Sequence, residues 1–425
     1  MGSMQSKREQ VQSQVDVLII GGGVIGVCSA YYLAAKGFKV ALIEKDEIAS
    51  GCSYGNGGLI VPSHAMPLAS PGALGDGLRW LFDTESPFYI KPRLDMDLFG
   101  WLLRFVAASR PRAMLRSLPI LRDLLMASRA LYAELANTSG FDFGYQANGS
   151  LWACLSKAAL EKERKEVRLL EQFNVPIRVM EQDEVHTLEP ALSPQVAGGI
   201  YYPLDGHIDP ARFVVGLAEK AQGRGVQVWT KTEAMRFETS NGRIMAVHTT
   251  RGVFHPAQIV LAAGSWSPAL SRNLQLRIPI QPAKGYSLTL ENPESAPKLP
   301  LLLGEAGVVV NPLGDALRIA GTLELAGMDF SFNSRRVDAM QRSSRAYLMG
   351  LDAARVIEIW RGLRPCTPDG LPIVGRSTAL NNLILAVGHA MLGISLGPVT
   401  GKLVSQLVGN ERPDLDLTPL RMERF

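Results

Sequence analysis

The 425-residue chain has only four cysteines, Cys28, Cys52, Cys154 and Cys366, widely spaced and with no C-x-x-C pair or metal-like grouping with histidine. That spacing argues against a disulfide framework or a bound metal, and reduced thiols suit the cytoplasm. Charge of one sign is also scarce: 44 basic against 40 acidic side chains leave a net charge of +4, with no long basic run. Nucleic acid is therefore not expected as a partner. Outside a glycine-rich segment near the start, no stretch of 18 or more apolar residues occurs, so no membrane-spanning helix is expected. The first residues lack the pattern of a secretory leader, and Met1-Gly2-Ser3 before Met4 reads as an expression scar. No internal repeat is evident. Apolar residues make up 47% and charged residues 20%, which fits a globular chain long enough for two domains.

The first strong pattern runs from Val15 to Asp46, VDVLIIGGGVIGVCSAYYLAAKGFKVALIEKD. An apolar run leads into Gly21-Gly22-Gly23-Val24-Ile25-Gly26, then a helix of small residues, then the apolar run Val40 to Ile43 ending at Glu44. Strand, G-x-G-x-x-G, helix, strand and acid in this order form a dinucleotide-binding fingerprint. Gly21 permits a tight turn, Gly23 lets backbone approach a pyrophosphate, and Gly26 lets helix and strand pack closely. The helix N-terminus offers N–H groups and positive dipole to phosphates, and Glu44 can accept from ribose hydroxyls.

Further along, residues 62–116 turn rich in proline, leucine and aromatics, and helical spacing covers Leu118 to Asn137, with Gly140 as a stop. Ala158 to Phe173 reads as a charged amphipathic helix, and Pro210 opens another. Val226–Trp229, Ala234–Glu238, Ile244–Thr249 and Gly252–Pro256 alternate like one antiparallel sheet, with Ile259–Ala263 as a separate apolar strand closed by Gly264. Four or five strand-like runs fill Ile278 to Asp329. Residues 1–14 are polar and are expected to fray. Parallel strands early, antiparallel strands in the middle and another strand–helix pair at the end imply a nucleotide domain assembled from separated segments.

The C-terminal stretch RGLRPCTPDGLPIVGRS, followed by NLILAVGHAMLGISLGPVTGKLVSQLV, joins three more: SGCSYGNGGLIVPSHAMPLASPG, YYPLDGHIDPARF and RIAGTLELAG. With the N-terminal fingerprint and Ala262-Ala263-Gly264, they resemble the D-amino-acid oxidase superfamily of flavoenzymes over nearly the whole chain. The branch that the chain looks most like is the small-subunit type of D-amino acid dehydrogenase, with glycine and sarcosine oxidases more distant. The resemblance implies an α/β chain with a discontinuous, Rossmann-like FAD-binding domain (GR2-type) at 15–65, 204–272 and 350–425. It places an α+β substrate-binding or cap domain, built on an antiparallel sheet, at 66–203 and 273–349. The cofactor implied is FAD, held non-covalently, since Gly362 stands near the position where sarcosine oxidases carry their attachment cysteine.

By the same resemblance Arg364 holds the substrate carboxylate, a task suited to a planar guanidinium with two parallel donors. Tyr54, His64, Tyr286, Thr322 and Met391 are expected around the substrate, with Glu324 as a further pocket candidate and core roles open for these side chains. Met391 stands where glycine oxidase has an arginine, which implies a more apolar pocket. The cofactor is expected against Gly21, Gly23, Val24, Ile25, Gly26, Glu44 and Lys45, and against Ser53, Asn56, Gly57, Gly58 and Leu59 in the following loop. Ala234 is placed at the adenine end, beside Ala263 and Gly264, and Gly388, His389, Leu392, Gly393, Ile394 and Ser395 at the flavin end. The activity implied is oxidative deamination of D-amino acids to 2-oxo acids and ammonia, with hydride passing from the α carbon to flavin N5. Electrons would leave to a non-oxygen acceptor, a quinone or an artificial dye. Alternatives of the same superfamily are a proline or hydroxyproline dehydrogenase, a sarcosine or glycine oxidase, or a flavoprotein subunit of a hetero-oligomer. Trp80, Phe82, Phe88, Phe99, Trp101 and Phe105, with basic neighbours, suit either cap core or a peripheral surface on the inner face of the cell membrane.

Overall fold

A computed structural model of the chain describes residues 11–72, 86, 88–173, 175–291 and 295–425. Two large sheets organise them. In the first, β1 (Val11–Ile20) pairs in parallel with β2 (Val40–Ile43) on one side and with β12 (Gly252–Leu261) on the other. β2 continues in parallel to β9 (Gln227–Trp229). On its far side, β12 pairs first with β11 (Arg243–Thr249), antiparallel, and later with β19 (Leu383–Val387), parallel. β10 (Ala234–Ser240) completes a hairpin with β11, and β18 (Ile373–Arg376) pairs with β19.

The second sheet is mostly antiparallel. Its order is β17 (Val356–Cys366), β13 (Gln281–Glu291), β16 (Ala316–Leu325), β15 (Val308–Leu313), β14 (Leu301–Leu303), β5 (Ser150–Cys154), β7 (Gly198–Tyr202) and β6 (Arg178–Glu181). A short strand, β4 (Phe88–Ile90), lies parallel to β16. A separate two-stranded antiparallel ladder joins β3 (Leu59–Ile60) to β8 (Gly206–His207).

The helix Val24–Ala35 is apolar almost all round because it is covered on both sides, by the first sheet and by the helix Gly393–Val408. Gly401 makes the approach of the two helices possible: a Cβ there would lie 2.5 Å from the carbonyl carbon of Cys28. Val27 and Leu33 are fully buried in this layer, each contributing roughly 1.5–3 kcal/mol.

Several sequence expectations need correcting. β9 belongs to the parallel part of the first sheet beside β2, not to an antiparallel run with β10. Three apolar-alternating residues carry no direction, so only the partner decides. The runs 252–256 and 259–263 form one strand, β12, and Pro256 is tolerated inside it, opposite Val15. β1 reaches back to Val11, paired with Gly252, so residues 11–14 are ordered by that partner. The helix expected from Leu118 starts at Pro111, whose missing N–H is harmless in the first turn. Of the aromatic cluster, Trp80 and Phe82 lie outside the described residues. Trp101 is core, its indole donating to the Cys366 carbonyl at 3.0 Å, whereas Phe99 is 57% exposed.

Candidate functional site

A cavity of about 540 Å³ opens at the carboxyl ends of β1, β2 and β12, where α/β sheets bind their ligands. The first glycine turn is built for close approach. Gly21 has φ of +118°, and a Cβ there would lie 2.4 Å from the Ala262 carbonyl oxygen. A Cβ on Gly26 would lie 1.9 Å from the Gly21 oxygen, so only glycine lets the helix start against the turn. Glu44 holds the turn from the neighbouring strand: one carboxylate oxygen accepts from Gly22 N at 2.7 Å and the other from Asp46 N at 3.0 Å. Each oxygen keeps a free lone pair for a ligand hydroxyl. Ser53 Oγ accepts from Val24 N at 2.9 Å and so fixes the next loop to the helix N-terminus.

The structure brings Gly21, Gly23, Val24, Ile25, Glu44, Lys45, Ser53, Asn56, Ala234, Ala263, Gly264, Gly388, His389, Gly393 and Ile394 onto this one wall. Gly26, Gly57, Gly58, Leu59, Leu392 and Ser395 are not on it and shape its backbone instead. Gly58 has φ of +75° and packs on the Ile208 carbonyl, and Ser395 Oγ donates to the Leu59 carbonyl at 2.7 Å. Two helix N-termini, Gly23–Ile25 and Gly393–Ile394, meet the cavity, and neither helix has an acid in its first turn. Above Gly51 and Gly264 a Cβ would meet no atom within 4 Å, so the cavity floor is open backbone there. Positive helix ends for phosphates, an anchored acid for ribose and open glycine floors for a flat ring suit a flavin dinucleotide.

None of the expected substrate residues lines this cavity. Arg364 is half-buried on β17, between the lining residues Leu363 and Pro365. Its Nη1 donates to the Thr322 carbonyl at 2.6 Å and its Nη2 to the Gly321 carbonyl at 3.3 Å. Burial pushes its pKa down, and among the described residues it has no acidic partner. Thr322 sits at φ of +61° where the β13–β16 register shifts, and its buried hydroxyl has no partner among the described residues. Cys52 and Cys366 lie near Arg364, and burial pushes both thiols up to about 12.

The other positions lie elsewhere. Tyr286 is 1% exposed in the core of the second sheet, with its hydroxyl accepting from Asn333 N at 3.2 Å. His64 packs 4.7 Å from the Tyr202 ring, with Nε2 3.3 Å from buried Asp205. Tyr54 gives its carbonyl to Arg318, and Met391 is 43% exposed. Glu324 is buried beside Lys284 and Arg336. His389 is buried, with Nε2 3.0 Å from Thr400 Oγ1, and burial lowers its pKa to about 3, so it stays neutral.

Sequence reasoning missed Cys52, Trp266, Phe330, Trp360 and Arg361 on the cavity wall. Trp266 follows the Ala262-Ala263-Gly264 turn directly, and Trp360 and Arg361 precede the arginine motif, so proximity to motifs could have found them. Phe330 is carried in from a distant loop and had no signal.

The profile of FAD dependent oxidoreductases (DAO) matches residues 16–407. The chain belongs to this family. Among curated proteins it is similar to D-amino acid dehydrogenase of Allorhizobium ampelinum, 32% identical over 416 residues that cover 96% of this chain and 98% of that protein. D-amino acid dehydrogenase of Methylobacterium radiotolerans is 33% identical over 416 residues, covering 96% and 99%. Among solved structures, glycine oxidase from Geobacillus kaustophilus superposes with a TM-score of 0.79 at 24% identity, covering 97% and 99% of the two chains. L-proline dehydrogenase from P. horikoshii superposes at 0.76 with 20% identity, covering 98% of each. These likenesses bear out the mixed α/β fold of the family.

Proposed function

We propose that the protein is an FAD-dependent D-amino acid dehydrogenase that converts D-amino acids to 2-oxo acids and ammonia and passes electrons to an acceptor other than oxygen, such as a quinone or an artificial dye. The observation that carries this reading is Arg364. It is a half-buried cation beside the cavity, spending two donors on backbone carbonyls and none on an acid among the described residues. A buried charge without a counter-ion is expensive, and a substrate carboxylate would supply one. The full-length curated relatives named for this activity support the same reading.

FAD would lie non-covalently along the wall from Glu44 to Gly393, and when bound it supplies the two-electron sink that takes hydride from the substrate α carbon. Arg364 fixes the plane and the distance of the substrate carboxylate, which sets the α carbon on the cavity side. The N-terminus of the helix Gly393–Val408 directs positive dipole at its end of the cavity. Neutral His389 adds no charge there. Cys52 and Cys366 stay protonated at neutral pH and cannot take a proton from the substrate ammonium. The amine therefore binds neutral or gives its proton to water.

The domains are proposed at the boundaries stated above with one change: β17 (Val356–Cys366) pairs with β13 in the second, antiparallel sheet and so goes with the cap, leaving the last FAD-binding segment to start after Cys366. The working location is the cytoplasm, docked on the inner membrane face. No helix among the described residues is long and apolar enough to cross a membrane. Docking is supported by the helix Met96–Ala108, which buries Leu98 and Trp101 but exposes Met96, Phe99, Leu103 and Val106 along its other side. Arg104, Arg110 and Arg112 are exposed close by. Turnover of single D-amino acids with a dye acceptor, together with a peroxide assay, tests the reading. Dye reduction without peroxide supports it, and stoichiometric peroxide would make the protein an oxidase.

A further inference from the structure

One side of the cavity is closed by residues that the nucleotide-binding fingerprint does not supply. Trp266, in the turn Gly264–Trp266, carries Lys45 Nζ 4.5 Å from its ring centroid. It also stacks on Phe330, with ring centroids 6.1 Å apart and planes at 28°. Phe330 comes from the second sheet, on the segment between β16 and the helix Ser334–Tyr347, and remains 44% exposed. Arg361 of β17 donates from Nε to the Phe330 carbonyl. All four residues line the cavity.

The Phe330 segment is anchored from beneath. Lys284 is 2% exposed and donates from Nζ to the Ser331 carbonyl at 2.9 Å. The same Nζ lies 3.5 Å from the Asp329 carboxylate and 3.6 Å from Glu324. Asp329 also accepts from Ser331 N at 2.8 Å and from Lys91 at 3.2 Å. A buried ammonium held by two acids and a carbonyl is costly to move, so the segment keeps its place over the cavity mouth.

Arg361 carries no acidic partner among the described residues, and with Nε spent on Phe330 its terminal fork is left for an anion. It is exposed and stands three positions before Arg364 on a regular stretch of β17, so the two arginines project from opposite faces of the strand. Lys45 and Asp46 follow Glu44, the acid suited to a ribose, which sets this corner at the nucleotide end of the cavity.

We propose that Arg361, Phe330 and Trp266 form a clasp on the diphosphate-bearing half of the cofactor, resting on the reading that the cavity takes FAD. Arg361 supplies a charge-assisted pair of hydrogen bonds to the diphosphate, and the stacked rings shut water from it. The second sheet thus retains the cofactor as well as facing the substrate, and FAD release requires the anchored segment to lift.

The test uses apo protein and FAD titration by flavin fluorescence, with release rates, for the wild type, Arg361→Gln and Phe330→Ala. Both side chains are exposed, and unchanged melting of the apo variants shows that the fold is intact. Arg361→Gln is expected to weaken FAD binding about tenfold or more, the least that losing its charge-assisted pair should cost, and to flatten its salt dependence. ADP, which carries only the diphosphate half, should lose affinity in parallel, and Phe330→Ala should speed FAD release. Unchanged FAD affinity and release in both variants, or weaker FAD binding with unchanged ADP binding, would overturn the clasp. Wild-type protein that takes up no FAD would sink the cofactor reading and the clasp with it.

Discussion

Arg364 lies directly on Gly285: a Cβ built at that glycine would fall 1.7 Å from Nη1. The two residues belong to neighbouring strands, where Ala283 pairs with Arg364 and Gly285 with Gly362. The empty space over Gly285 therefore decides where the guanidinium rests. Gly285→Ala should displace the flexible end of Arg364 and leave the fold in place. We expect kcat/KM to fall about 10–100-fold, mostly through KM, with melting nearly unchanged. Arg364→Lys should lose at least as much, because an ammonium holds charge without fixing the carboxylate plane. Kinetics of Gly285→Ala equal to wild type would place the carboxylate elsewhere.

Neither thiol beside Arg364 can serve as a base, and that has a kinetic signature. Cys52 and Cys366, pushed up to about 12, titrate above the useful range. The rate of capture should then follow the substrate amine, with kcat/KM rising as pH rises until the free amine dominates. Substrates with lower amine pKa should shift the profile to lower pH by the same amount. A fixed pKa near neutrality, common to all substrates, would reveal an enzyme base.

Two buried histidines make stability depend on pH. Burial lowers His207 to about 4 and His389 to about 3, from an ordinary 6.5. Below about pH 6.5 the unfolded chain binds protons that the folded chain refuses, so stability falls as pH falls. For His207 the loss continues to about pH 4 and for His389 to about pH 3, at up to about 1.4 kcal/mol per pH unit for each. His207→Leu should flatten the slope of stability between pH 6.5 and 4, as read by chemical denaturation of apo protein. Identical slopes in the two proteins would show that His207 is protonated in the folded state.

What the sequence made legible follows from range. The segment β1, helix Val24–Ala35 and β2 could be read because turn glycines, apolar runs and the acid at Glu44 are local signals with fixed spacing. β9 and the undivided β12 could not, since pairing with β2 and tolerance of Pro256 depend on distant strands. In the same way, motif neighbours led to Ser53, Asn56 and His389 on the cavity wall, while Phe330 arrives there by a loop whose anchor, Lys284, is buried by tertiary packing. Tyr286 flanked a motif yet points into the core, because alternate residues of β13 face opposite sides of the sheet.

The exposed apolar face of the helix Met96–Ala108 predicts reversible binding to lipid. Phe99→Ser with Leu103→Ser removes two of its exposed side chains, 57% and 58% accessible. Sedimentation with anionic vesicles at low salt should drop several-fold in the double variant, while turnover with a soluble dye stays near wild type. Failure of the wild type to sediment would remove the membrane from the account.

The central claim is that FAD in this cavity is reduced by D-amino acids held through Arg364. Anaerobic mixing of the FAD-loaded protein with single D- and L-amino acids, including both prolines, reads this directly in the flavin's visible absorption. The account predicts bleaching by several D-forms and not by their L-forms, with Arg364→Ala abolishing it at matched concentrations. Bleaching by L-proline or sarcosine alone, or undiminished bleaching in Arg364→Ala, would contradict it.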